Sequence, residues 1–295
     1  MEFVFREMAK ILVLGDFHGK FPSKIKNILK KEKIDLIIST GDYPAFSIGK
    51  LFFKYVYGKK DVELWEFIGK EQYKKMVLKD HKSGESVVNK LNELPIPVLS
   101  VLGNHDYSRP DDAMDVKKPK NFWKWSWDET TKISKDLDSK KNIHKIDYNY
   151  FIWKDLIFVG ARGHSFPGLV KSKAYKKHRA ILEKIFKKFD KENKQGKLIF
   201  VAHVPPYNTK LDLIKAKGAH KIVKNKHYGS KMFKRLILKY QPSLFLCGHI
   251  EESKGKQKIG RTLAINAGAI HHGDYFLVEV DETKGKIKKA ISRKL

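Results

Sequence analysis

Five short apolar runs, each stopped by an acid, an amide or a histidine, set the tightest limit on what this chain can fold into. They are residues 10–15 before Asp16-Phe17-His18, 35–40 before Gly41-Asp42, and 96–102 before Gly103-Asn104-His105-Asp106. The last two are residues 197–202 before His203 and 243–247 before Gly248-His249-Ile250-Glu251. Runs this short and this apolar read as buried strands of a largely parallel sheet. Open α/β sheets gather ligands at the C-terminal ends of their strands. The pattern therefore predicts that Asp16, His18, Asp42, Asn104, His203, His249 and Glu251 converge. One Asp or Asn at a strand end is ordinarily a turn former; recurrence at five ends argues for a site. The residues make a mixed oxygen and nitrogen donor set for two metal ions, with Asp42 as the candidate bridge.

The tetrapeptide Gly103-Asn104-His105-Asp106 carries the most chemistry. Gly lets the backbone bend sharply. Asn offers a carbonyl oxygen, and His a proton near neutral pH. Asp can fix the imidazole tautomer. The whole series, D-x-H, G-D, G-N-H-D, a lone His and G-H-x-E, resembles the calcineurin-like metallophosphoesterases from about residue 10 to residue 268. The family's last motif ends in His where this chain has Glu251.

That resemblance implies an α/β fold, a four-layer α/β/β/α sandwich of two mixed sheets. It also implies hydrolysis of phosphate esters by direct attack of metal-bound hydroxide. One divalent ion would take Asp16, His18, Asp42 and the last-motif residue. The other would take Asp42, Asn104, His203 and His249. His105 would protonate the leaving oxygen or stabilise the transition state, and Asp106 would orient it. Asn104, His105 and His227 are expected on the substrate side, with His164 a further candidate. Such donors suit Mn²⁺, Fe, Ni²⁺ or Zn²⁺ better than Mg²⁺ or Ca²⁺, and Mn²⁺ is expected first. Glu251 either ligates, adding one negative charge, or leaves its position to water. A phosphodiester is the preferred substrate. The rivals are a phosphomonoesterase acting on proteins or nucleotides, and a non-catalytic scaffold that keeps the fold for binding.

The formal net charge is +28, and lysine supplies 54 of the 61 basic residues. Base readers favour the fork of arginine, so a lysine-rich proteome is the plainer reading. Nucleic acid remains a candidate partner through the basic surface. No apolar stretch is long enough for a membrane span, and the first residues lack a signal pattern. Cys247 is the only cysteine, which fits a reducing cytoplasm. The chain gives no reading of oligomeric state.

Residues 1–295 read as one domain with inserts at about 44–80 and 107–140. Helices are predicted at 22–33, 85–94, 171–194 and after Ser230, a candidate N-cap. Residues 143–150 and 150–160 read as paired strands turning at 153–156. Residues 260–268 and 274–280 read as a closing hairpin, with an edge strand at 286–291. The aromatics of the first insert are expected to pack on the core, with a substrate lid as the sharper reading. Trp123, Trp125 and Trp127 either pack down or stack bases. His81, His144, His178 and His220 are expected at the surface. His271 and His272 fall in a turn, away from the site.

Overall fold

The computed structural model describes residues 8–59, 62–106, 123–129, 132–162, 173–217 and 219–295. His164 and residues 107–122 lie outside them. The first half of the chain runs β1 (Met8–Leu14), α1 (Ile25–Glu32), β2 (Leu36–Ser39), α2 (Gly49–Tyr55), α3 (Trp65–Ile68), α4 (Lys70–Asn92) and β3 (Val98–Ser100). There follow α5 (Lys124–Glu129), α6 (Lys132–Asp138), β4 (Ile143–Lys145), β5 (Tyr150–Trp153) and β6 (Leu156–Ala161). The remainder is α7 (Lys173–Lys188), α8 (Asp190–Lys194), β7 (Leu198–Ala202), α9 (Lys231–Tyr240), β8 (Leu244–Cys247), β9 (Gly255–Ile259), β10 (Thr262–Asn266), β11 (Asp274–Asp281) and β12 (Ile287–Lys294).

These strands form two mixed sheets of six, ordered β12-β11-β1-β2-β3-β4 and β5-β6-β7-β8-β10-β9. Each contains four consecutive parallel strands, β1 to β4 in one and β6, β7, β8 and β10 in the other. Parallel neighbours need crossovers, and helices supply most of them. Because side chains alternate along a strand, Ile11 and Val13 face the second sheet while Leu12 and Leu14 face outward. Three separate apolar clusters result. One joins the sheets through residues such as Leu99, Phe158, Val201 and Phe276. One packs α1, α4 and α6 on the first sheet, and one packs α7 and α9 on the second. That is the expected four-layer sandwich. Each fully buried side chain of this size contributes about 1.5–3 kcal/mol.

Several local expectations change. Helix α4 begins at Lys70, well before residue 85. Gly84, just ahead of the predicted start, lies inside the helix. The helix runs close to its neighbours here, and a Cβ at this position would lie 2.9 Å from Ile133 Cδ1 and 3.0 Å from Pro44 Cγ, so both side chains would have to give way. The predicted pairing of 143–150 with 150–160 is replaced. Strand β4 joins β3 in the first sheet, and the hairpin is β5 with β6. The predicted closing hairpin is also replaced, since β10 and β11 lie in different sheets. His81 is buried within α4, and His178 is buried against the Tyr148 ring at 3.8 Å between centroids. Trp123 packs on Trp65 at 5.9 Å and Trp125 at 4.9 Å, so these rings join the two inserts to each other. Ser230 does cap α9, accepting from the Phe233 N–H. Among the described residues, no helix is long and apolar enough to cross a membrane.

Candidate metal centre

The seven predicted donors meet at the C-terminal ends of β1, β2, β7 and β8 and in the loop after β3, where the two sheets come together. Four of them, Asp16, His18, Asp42 and His249, have φ between 44° and 70°. Non-glycine residues in this left-handed region are uncommon, and Asp and His are among those that tolerate it best. The strain aims the side chains inward instead of along the strand. Gly103 is required by the same crowding, because a Cβ there would lie 2.1 Å from Asp42 Oδ1.

Asp42 is the centre of the arrangement and is 1% exposed. Its Oδ1 accepts from the His105 backbone N–H at 2.8 Å, and its Oδ2 lies 3.4 Å from His203 Nε2. His203 donates from Nδ1 to the Thr40 carbonyl at 2.7 Å, and its Nε2 lies 2.9 Å from Asn104 Oδ1. The Thr40 carbonyl holds the Nδ1–H, so Nε2 is the nitrogen turned to the centre, free to ligate once its own proton is lost. His249 joins Asp42 and His203, with donor atoms all within 4.8 Å of one another. On the other side, His18 Nε2 lies 3.0 Å from Glu251 Oε1. The His249 backbone N–H donates to both oxygens of Asp16 at 3.1 Å.

Asp106 does something other than orient an imidazole. Its Oδ2 accepts from Gly103 N at 2.7 Å and Asp42 N at 2.9 Å, and its Oδ1 accepts from Tyr43 N at 2.7 Å. It staples the β3 loop to the β2 loop. His227 donates from Nδ1 to the buried Asp212 at 2.8 Å; among the described contacts it touches no member of the cluster. Sequence reasoning puts His271 outside the site, and the structure brings it in. Its Nδ1 donates to the Asp16 carbonyl at 2.8 Å, and its ring meets His18 edge-on at 4.9 Å. The only signal for it is its position after Gly268, one strand beyond the last motif. Phe46 from the first insert lies 4.1 Å from the His105 ring.

Burial and mutual charge set the electrostatics. Burial pushes Asp16 up to about 7, with Asp42 and Glu251 adding to it against His203. Against burial, His203 and His105 hold the Asp42 carboxyl well below the usual carboxylate range. Against burial, the Glu251 hydrogen bond and Asp42 raise His18 to about 9, and Asp42 raises His203 to about 9. Burial pushes His105 down to about 4 and, with His203, His249 down to about 3. Burial and Asp42 push Asp106 up to about 7, against its three N–H donors. Protons on His18 and His203 thus balance the carboxylates in the metal-free protein.

A family model described as calcineurin-like phosphoesterase matches residues 9–252. The chain belongs to the calcineurin-like phosphoesterases. Members of this family are hydrolases acting on phosphoric esters, and the family implies a pair of divalent ions. An uncharacterized protein from Methanocaldococcus jannaschii, MJ1162, is 27% identical over 262 residues, covering 87% of each chain. One solved structure, 18% identical, matches with a TM-score of 0.61 over 97% of this chain and 99% of its own. The crystal structure of TT1561 of Thermus thermophilus, 14% identical, matches with a TM-score of 0.52 over the same shares. These likenesses concern the fold. The residues present fit a phosphoesterase metal pair. Buried carboxylates, an amide oxygen and several imidazoles face one space, and His18 Nδ1 is buried there with no hydrogen-bond partner.

Replacing Asp106 with Ala strands three backbone donors, so the fold should lose about 3 kcal/mol or more in denaturant unfolding. A loss under about 1 kcal/mol would contradict the staple. Ligand imidazoles must be neutral to bind a cation. Mn²⁺ binding should therefore release protons below pH of about 9, and apparent affinity should rise with pH up to that point. Calorimetry in buffers of different ionisation enthalpy measures this, and binding without proton release would contradict it.

Proposed function

We propose that this phosphoesterase hydrolyses phosphodiesters with two divalent ions held on either side of Asp42, Mn²⁺ being preferred. One observation carries the reading. The buried Asp42 carboxylate is shared by two donor groups, one with His18 and His105 and one with His203 and His249, the donor atoms of each lying within 4.8 Å of one another. Asp16, His18 and Glu251 would complete one site with it, and Asn104, His203 and His249 the other. When bound, the ions supply charge neutralisation and an activated water for in-line displacement at phosphorus.

His105 is the proposed acid. Its backbone N–H is anchored on Asp42 and its Nε2 lies 3.9 Å from Asp42 Oδ2. Phe46 packs on the ring at 4.1 Å between centroids, limiting its rotation. Desolvation pushes the half-buried ring down to about 4, which favours its neutral form at pH 7. An anionic phosphate beside it favours its charged form, which can then deliver a proton to the leaving oxygen. Asp106 contributes as a positioning residue, since it fixes the loop that carries Asn104 and His105.

The preference for a diester draws on the first insert. From Phe46 an aromatic row continues through Phe52, Phe53 and Tyr57 to His220. Such a wall suits an organic group on the far side of the phosphorus. His227, braced by Asp212, is a proposed substrate contact beside that wall. The excess of lysine attracts anions in general, and nucleic acid is the diester partner most in keeping with it. We read residues 1–295 as one domain, and the lone buried Cys247 fits a reducing cytoplasm.

Protein stripped of metal and reloaded with Mn²⁺ should turn over a bis-aryl phosphodiester faster than an aryl phosphomonoester. The reverse ratio would make it a monoesterase. His105→Ala should keep its metal content and lose about 10²- to 10⁴-fold in turnover. Unchanged turnover would remove His105 from the proton path.

A further inference from the structure

Glu251 stands where the family's motif has a histidine, and the structure supplies an imidazole from elsewhere. Glu251 opens a short 3-10 turn, Glu251–Ser253. A second such turn, Ile270–His272, links β10 to β11 across the two sheets. It is pinned to the end of β1, with Ile270 N donating to the Gly15 carbonyl at 2.9 Å. His271 Nδ1 then donates to the Asp16 carbonyl at 2.8 Å. With Nδ1 carrying the proton, Nε2 presents its lone pair. It lies 3.8 Å from Glu251 Oε2. Donor atoms of His18, Glu251 and His271 all lie within 4.8 Å of one another.

His203 is built the same way on the opposite side. Its Nδ1–H is tied to the carbonyl at the end of β2, and its Nε2 faces Asn104 and Asp42. A carbonyl-fixed tautomer is the usual support of a metal-binding imidazole. The neighbouring His272 differs. Its side chain is 61% exposed and it reaches Glu251 through Nδ1 at 3.5 Å.

We propose that His271 Nε2 is a ligand of the ion on the His18 side of Asp42. This assignment rests on the two-ion reading above. It gives that ion five protein donors, Asp16, His18, Asp42, Glu251 and His271. Five donors exceed the four of a closed zinc site. A group of two imidazoles and one carboxylate, His18, His271 and Glu251, is a pattern suited to Fe²⁺. The expected occupant of this position is an ion that accepts five or six ligands, Fe²⁺ or Mn²⁺. Glu251 and His271 together take the place of one family histidine.

The test counts Mn²⁺ bound to the full chain by electron paramagnetic resonance of the free ion. Wild type should bind two. His271→Asn keeps an amide N–H for the Asp16 carbonyl but has no atom at the Nε2 position. It should bind one ion as wild type does and the other at least 10-fold more weakly. His271→Ala should do the same, and His272→Ala should keep both. If wild type binds fewer than two ions, the two-ion reading fails and takes this inference with it. If wild type binds two and His271→Asn also binds two with unchanged affinity, His271 is not a ligand, while the two-ion reading stands. That result with a weakened His271→Ala would make His271 a structural tie on β1. Thermal melts of each variant confirm that folded protein is being counted.

Discussion

Burying three aspartates where two sheets meet is the constraint on which the rest of this structure depends. Asp16, Asp42 and Asp106 are each at most 1% exposed. An unpaired buried carboxylate is prohibitively costly, so each is answered by donors at fixed positions. Backbone N–H groups of His249, His105, Gly103, Asp42 and Tyr43 answer them. These donors belong to loops after β2, β3 and β8, which must therefore adopt one conformation together. The left-handed conformations of Asp42 and His249 in these loops, and of Asp16 and His18 after β1, are tolerable only under such restraint. The same interactions that hold the loops also aim the donors at a common point.

The convergence is legible in the sequence because it follows largely from strand direction. Parallel strands put their C-terminal ends on one edge of a sheet, which gathers the residues after β1, β2 and β3 in one sheet and after β7 and β8 in the other, and the stacking of the two sheets brings those edges together. The tetrapeptide's chemistry reads less well. Asp106 next to His105 suggests a side-chain pair, yet a carboxylate at this depth is worth more to three orphan N–H groups than to one ring. The position of His271 is hidden for another reason. It depends on β10 and β11 lying in different sheets, and adjacent strands with a short link read locally as a hairpin. The same local bias joins β4 to β5. The early start of α4 is hidden too, because the value of Gly84 within it lies in a close approach to Pro44 and Ile133 that only the packed structure reveals.

The inserts divide the work of the surface. Trp65, Tyr73, Trp123 and Trp125 are spent on each other, with Lys70 and Lys74 laid over the indole faces. Phe46, Phe52, Phe53 and Tyr57 face the other way, starting at the His105 ring and ending at the 207–228 loop through the Tyr57–Tyr228 hydroxyl pair at 3.1 Å. In the proposed reading, this segment between β2 and β3 supplies the selectivity, and the four layers of the fold carry the shared site.

The proposed bridging of two ions by Asp42 is tested most directly by anomalous diffraction at the manganese edge, from crystals of the metal-loaded protein. Two anomalous peaks are expected about 3.5–4 Å apart, with the Asp42 carboxylate between them. One peak should lie among Asp16, His18 and Glu251, and the other among Asn104, His203 and His249. A single peak, or two peaks that do not share Asp42, would contradict the bridge.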